Sequence, residues 1–184
     1  MSVNQATIDL IKRWEGCKLQ AYQCSAGVWT IGFGTTAGAD VGIKPAQGMT
    51  ITLDRAEDLL RLAVDKFAAT VDALITAKVN DNQFGACVSL AYNIGPTAFA
   101  KSTVLRELNA GNYDKAAIAF QMWNKAGGKV VQGLINRRND EVTLFLTSPT
   151  ADMHTITAPE KVEAVSIWAA IIRAIAEIFR GLTK

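Results

Sequence analysis

The chain changes its repeat within its first 38 residues, and that change limits the available folds more than any other feature. Ile8, Ile11 and Trp14 recur at helical spacing, Ser2 or Asn4 stands where a cap is needed, and Glu15 falls at the helix end. From Trp29 the pattern becomes strand-like alternation, Trp29-Thr30-Ile31-Gly32-Phe33-Gly34, and the region to about Gly38 is rich in glycine, threonine and aromatics. A helix running into a glycine-bearing hairpin, with helical patterns after it, predicts an α+β fold that is mostly helical.

Gly42 to Gly48, with Pro45, reads as loop. Thr52 then offers a cap, and Asp54, Glu57 and Asp58 sit in the first turns, where the helix dipole favours acids. Leu59, Val64, Phe67, Val71 and Leu74 mark a long amphipathic helix to about Thr76, which would connect a small hairpin lobe to a larger helical lobe. A second helix from Asp81 is expected to stop at Gly95-Pro96, with further helices over 102–110, 113–124 and 133–146. Short connections make residues 1–148 one unit with a cleft between its lobes.

After Thr147-Ser148-Pro149-Thr150 the composition shifts, and residues 149–184 read as a linker and an amphipathic helix. Over 160–182, Val162, Val165, Trp168, Ile172, Ile175, Phe179 and Leu182 share one face; Glu163, Ser166, Arg173, Glu177 and Arg180 share the other. Arg173 and Glu177 interrupt it too strongly for a membrane span of about 20 apolar residues. Its apolar face has two readings: docking on the domain or on a second copy, giving a monomer or weak dimer, or contact with a membrane surface.

Composition excludes several classes. With 49% hydrophobic and 20% charged residues among 184, the chain is globular, not disordered. Met1 to Lys12 lacks the basic and apolar regions of a signal peptide, so the protein is expected to be held in the cytosol where it is made. Three cysteines leave one over, so no disulfide framework is implied, and Cys87 reads as a small buried hydrophobe. A single histidine, with no cluster at ligand spacing, predicts neither a zinc site nor another cofactor. From Lys101 to Arg138, seven basic residues face two acidic ones, a basic lobe suited to an anionic polymer or else a solvated helical face. No nucleic-acid reading motif accompanies that charge.

The hairpin region carries the chemistry. Glu15, eight residues, Cys24, five residues, Thr30 would bring a carboxyl, a thiol and a hydroxyl toward one cleft. That spacing, in a helix-then-hairpin context, resembles the phage-type muramidases, the T4-lysozyme-like endolysins, whose signature is Glu, eight residues, Asp or Cys, five residues, Thr. The resemblance continues through Asn82-Gln83-Phe84, Asn93-Ile94-Gly95, Trp123 and Gly133-Leu134-Ile135-Asn136-Arg137-Arg138, and covers roughly residues 5 to 147. It implies a two-lobed lysozyme-like fold and hydrolysis of the β-1,4 bond between N-acetylmuramic acid and N-acetylglucosamine in peptidoglycan. Release of the enzyme to the wall through a phage holin is also implied.

On this resemblance Glu15 is the general acid, and Trp14 with the preceding apolar segment would desolvate it into the neutral form. Cys24 stands where relatives carry Asp or Cys, and its role stays open among thiolate base, nucleophile and polar spacer beside the water. Thr30 would orient that water, though threonine is also an ordinary strand residue. Asn93 falls where the family lines the cleft with an amide. Arg137 and Arg138 would reach substrate carboxylates, or one of them would brace the last helix. Tyr22 and Trp29 are packing residues or sugar platforms. Phe33 and Thr35 depart from the commoner Gly-Tyr-Gly-His-Thr pattern. A lytic transglycosylase, which needs only the acid, and a wall-binding phage component with a vestigial site are the competing readings.

Overall fold

Asn4, not Ser2, starts the first helix: its side-chain oxygen accepts the N–H of Thr7 at 3.0 Å and satisfies a donor that has no partner within the helix. This helix, α1 (Gln5–Glu15), buries Ile8, Leu10 and Ile11. It ends at Gly16, whose φ of +65° lets the chain leave the helix while its N–H still bonds to Lys12 O. The computed structural model describes residues 1–24 and 26–148, all within the unit Met1–Pro149. The helix expected over 160–182 lies outside the described residues.

Three short strands follow, β1 (Lys18–Gln23), β2 (Trp29–Gly32) and β3 (Thr35–Thr36), in an antiparallel sheet of that order. Tyr22 stands opposite Thr30, and Thr30 opposite Thr36. The free edge of β1 is covered, since Ala21 N–H bonds to Met49 O and Ile51 N–H to Leu19 O, each at 2.9 Å. A 3-10 turn, Ala37–Ala39, closes the lobe.

The sheet rests on α2 (Leu53–Leu74), which Thr52 caps by accepting the Arg55 N–H. A Cβ on Gly32 would stand 3.2 Å from Ala56 Cβ, so the glycine allows strand and helix to touch. The helix buries Leu59, Leu60, Val64 and Val71. It stops at Leu74, two residues before the expected Thr76, because Asn109 intervenes: its amide donates to Leu74 O at 2.9 Å and accepts the Thr76 N–H at 2.8 Å.

At the centre of the larger lobe lies α3 (Asp81–Ile94), begun by a capping box between Asn80 and Gln83. Phe84, Cys87, Val88, Leu90 and Ala91 have no exposed surface, because α1, α2 and the last helix all pack on it. Cys87 is the buried small side chain that the sequence predicts. Gly95, at φ +87°, ends α3 as expected. Pro96, read in the sequence only as a stop, instead opens a further helix, α4 (Pro96–Ala100), whose first turn needs no N–H from it.

Ser102 caps α5 (Thr103–Asn109), and α6 (Tyr113–Ala119) follows. The helix expected to reach Asn124 tightens into a 3-10 turn over Phe120–Trp123. It then gives way to an unexpected hairpin, β4 (Lys125–Ala126) and β5 (Lys129–Val130), turned on Gly127 and Gly128 in positive-φ conformations. The last described helix is α7 (Gln132–Leu146). Among the described residues no helix is long and apolar enough to cross a membrane.

The contact of α1 with α3 depends on Gly85, where a Cβ would lie 1.8 Å from Thr7 Oγ1 and 3.0 Å from Thr7 Cβ. Gly85→Ala is therefore expected to destabilise the fold by roughly 1–3 kcal/mol through overpacking. Adding Thr7→Ala removes the nearest atom and is expected to restore part of the loss. Urea unfolding of the two single variants and the double variant measures this coupling.

Candidate active site

Glu15 is delivered by the last turn of α1 into a cleft of about 520 Å³ between the lobes. Gly34 and Thr35 from the sheet, Lys66 and Phe67 from α2, and Tyr92 from α3 also line it. Glu15 Oε1 accepts a hydrogen bond from Arg137 Nη1 of α7 at 2.7 Å, and the Glu15 side chain keeps 22% of its surface exposed. Gly34 faces the other oxygen, so close that a Cβ there would be 3.7 Å from Glu15 Oε2. Trp14, expected to desolvate the carboxyl, turns its indole N–H to Asp140 at 3.1 Å.

Phe33 holds the turn beside Glu15 in place. Its carbonyl accepts the Tyr92 hydroxyl at 3.2 Å, and its ring lies 5.6 Å from the Lys12 ammonium, which is itself paired with Glu57. Burial pushes the Tyr92 hydroxyl far above its ordinary range and the nearby Glu15 carboxylate adds to this, against the opposing effect of Arg137. Tyr92 therefore acts as a neutral donor. Lys66 bonds to the carbonyls of Ala39 and Asp40 and to the Asp40 carboxylate, tying the 3-10 turn of the small lobe to α2.

Behind Glu15 lies a buried ionic cluster. Arg137 Nε donates to Glu141 Oε1 at 3.3 Å, and Arg138 Nη2 donates to the same oxygen at 2.8 Å. Ser89 Oγ donates to it as well, at 2.8 Å. Arg138 Nη2 also reaches Asn93 Oδ1 at 3.1 Å. Glu141 and Arg138 have no exposed surface and Arg137 has 4%. Burial pushes the Glu141 carboxyl upward, while Arg138, Ser89 and Arg137 act to keep it charged.

Sequence reasoning missed Glu141 and Ser89 entirely. A lone carboxylate in a helical pattern carries no sign that it will be buried; only the adjacent Arg137-Arg138 pair hinted at a need for counter-charge. The predicted site residues fall into two groups. Glu15 and Arg137 are joined directly, and Asn93 is linked to them through Arg138 and Glu141. Arg137, expected to meet substrate, makes its contacts here with two protein carboxylates. Arg138 is the brace. The basic lobe is correspondingly weaker than the seven-residue count implied: these two arginines are buried in pairs and Arg106 engages Glu107, leaving Lys101, Lys115, Lys125 and Lys129 exposed.

Cys24 and Thr30 form the second group, outside the residues that line the cleft. Cys24 closes the β1–β2 turn, its N–H bonding to Val28 O at 3.0 Å. Thr30 is 4% exposed and donates its hydroxyl to Val28 O at 3.0 Å. Hydrogen bonds from the backbone of Ala26, then of Val28, hold the Cys24 thiol below the ordinary thiol range. Strand β2 carries Thr30 toward Gly34 over no more than roughly 13 Å of extended chain. Among the described residues no cluster of His, Cys, Asp and Glu could hold a metal ion.

A helical lobe and a small sheet joined by one long helix, with a glutamate at the end of the first helix facing the cleft between them, define a lysozyme-like architecture. The family model described as phage lysozyme matches residues 12–141, and the chain belongs to that family. It is 45% identical over 163 residues to the endolysin of Bacillus phage B103, which aligns with 88% of this chain and 60% of the B103 protein. The chain thus spans about 60% of the length of that relative. With the endolysin of Salmonella phage P22 the identity is 44% over 147 residues, 80% of this chain and 99% of the other.

Solved structures agree. A P22 lysozyme variant superposes with a TM-score of 0.73 at 44% identity, covering 80% of this chain and 99% of that one. The muramidase domain of SpmX from Asticaccaulis excentricus gives 0.73 at 36% identity, again covering 80% and 99%.

The cysteine environments predict an order of reactivity. Cys17 is exposed, but partial burial raises its thiol ahead of the opposing Lys12 charge, whereas Cys24 is lowered. Iodoacetamide at neutral pH is expected to alkylate Cys24 before Cys17 and to leave Cys87 untouched until unfolding. Peptide mapping against time and pH measures the order.

Proposed function

We propose that this protein is an endolysin, a muramidase that hydrolyses the β-1,4 bond between N-acetylmuramic acid and N-acetylglucosamine of peptidoglycan. The observation that carries this reading is Glu15: a carboxyl at the end of an amphipathic helix, fixed by Arg137 on one side and facing Gly34 on the other, in a cleft of about 520 Å³. The names of the P22 and B103 relatives and of the SpmX domain support it.

In the proposed reaction Glu15 enters protonated and gives its proton to the bridging oxygen as the bond from that oxygen to the anomeric carbon breaks. Positive charge gathers on the sugar ring, and a water attacks the same carbon. Its proton passes to Cys24, acting as a thiolate, while the Thr30 hydroxyl orients the water. The lowered Cys24 thiol supports this choice over a passive spacer. Asn93, exposed on α3 and held by Arg138 through its amide oxygen, keeps its amide N–H groups for an N-acetyl carbonyl of the substrate. Release to the wall through a holin, and contact of the segment after Ser148 with a membrane surface, belong to the same proposal.

Mass spectrometry of digested peptidoglycan tests it. Reducing muramic ends are expected from the parent, and Glu15→Gln should lower the rate by at least about 100-fold. Cys24→Ser is expected to lose roughly 100-fold, and Cys24→Asp to retain most of the rate. Products with 1,6-anhydro ends would replace hydrolysis by transglycosylation, and undiminished digestion by folded Glu15→Gln would end the proposal.

A further inference from the structure

Arg137 is shared. Its Nη1 serves Glu15 at 2.7 Å while its Nε serves Glu141 at 3.3 Å, so one guanidinium stands between a carboxylate at the cleft and a fully buried one behind it. We propose that Glu141 is a positioning residue for the acid: by holding Arg137 and drawing on its charge, it sets how readily Glu15 keeps the proton it must deliver. The proposal rests on the reading of Glu15 as general acid and adds the residue that controls it.

The charge balance gives the direction. Three donors converge on Glu141 Oε1, from Arg137, Arg138 and Ser89, an arrangement suited to an ionised carboxylate. With Glu15 ionised, the two carboxylates and two guanidiniums sum to zero; with Glu15 protonated, the sum is +1. Glu141 therefore lowers the cost of the protonated state, because without it the cluster would stand at +2. Both of its actions have the same sign: it offsets the arginine charges that stabilise ionised Glu15, and it repels that ionised form directly.

The other groups around the pair leave this balance in place. Facing Glu15 are Arg137 of α7, the neutral Tyr92 of α3 and, across the cleft, Lys66 of α2, which is bound to Asp40; Lys12 of α1 is paired with Glu57. Facing Glu141 are Arg137 and Arg138 of α7, with Ser89 and the buried thiol of Cys87 on α3. Glu141 Oε2 has no hydrogen-bond partner among the described residues, so its grip on the arginines runs through one oxygen.

The test follows Glu15 itself. Side-chain carboxyl 13C signals of Glu15 are titrated in the parent, in Glu141→Gln and in Glu141→Asp, beside the pH profile of peptidoglycan hydrolysis. Glu141→Gln is expected to move the Glu15 midpoint, and the alkaline limb of the profile, to lower pH. At the parental optimum this appears as a fall in kcat larger than any change in KM. Glu141→Asp keeps the charge and is expected to return both midpoints toward the parent.

A Glu15 titration that Glu141→Gln leaves in place, or moves to higher pH, overturns the inference. Loss of hydrolysis in the parent would instead overturn the functional reading, and the carboxyl titration would still decide the role of Glu141. Should Glu141→Gln not fold, the Arg137 Nε–H resonance supplies a second measure. Because that proton is donated to Glu141, its signal is expected to shift in Glu15→Gln as the shared cation redistributes, and an unmoved signal overturns the proposal.

Discussion

The ion pair between Glu15 and Arg137 joins the first helix of the domain to its last, and the rest of the site is arranged around it. At 5% side-chain exposure for Arg137, the pair sits where solvent screens it poorly. Removing Glu15 would leave Arg137 its second carboxylate, Glu141, whereas removing Arg137 would free the partly exposed Glu15 from the bond that fixes it. The cleft carboxyl is thus fixed by the described helix most distant from it in sequence. Neither α1 nor the hairpin could hold it there alone.

Around that pair the two lobes contribute unlike things. The helical lobe supplies charge, buried and balanced, through α7, and neutral hydrogen-bonding groups through the central helix α3. The sheet lobe supplies backbone: a glycine that leaves room beside Glu15 Oε2, and a carbonyl that Tyr92 holds from the other lobe. Tyr92 and Lys66 are the cross-links between the lobes, one neutral and half-buried, one charged and exposed. Buried bonds resist solvent competition and exposed ones do not, so the turn at Phe33 is held more firmly than the turn at Asp40.

Much of this was legible in the sequence, for physical reasons. Caps at Asn4 and Thr52 and the stop at Gly95 each satisfy or release backbone groups locally, so single residues announce them. The short helix after Pro96 and the β4–β5 hairpin were not legible, because five- and two-residue elements carry no periodicity. The end of α2 was misjudged by two residues because a distant side chain, Asn109, decides it. Spacing and family resemblance singled out Glu15, which lines the cleft, and with it Cys24 and Thr30, which do not. Glu141 was silent, since its importance arises only when α7 turns it onto Ser89 of α3.

Burying a carboxylate in a helical core is costly, and an apolar residue of similar size at position 141 would pack there without a desolvation penalty. The cluster then has to be judged by what the charge does. With an apolar residue at 141, Arg137 and Arg138 would stand side by side with Glu15 as their one carboxylate, and their combined charge would favour its ionised form. In the proposed reaction Glu15 needs the opposite bias at the moment of proton transfer. On that proposal Arg137, which holds Glu15 with Arg138 beside it, requires a counter-charge behind it. Position 141, one turn along α7 from Arg137, can reach that guanidinium without disturbing the cleft.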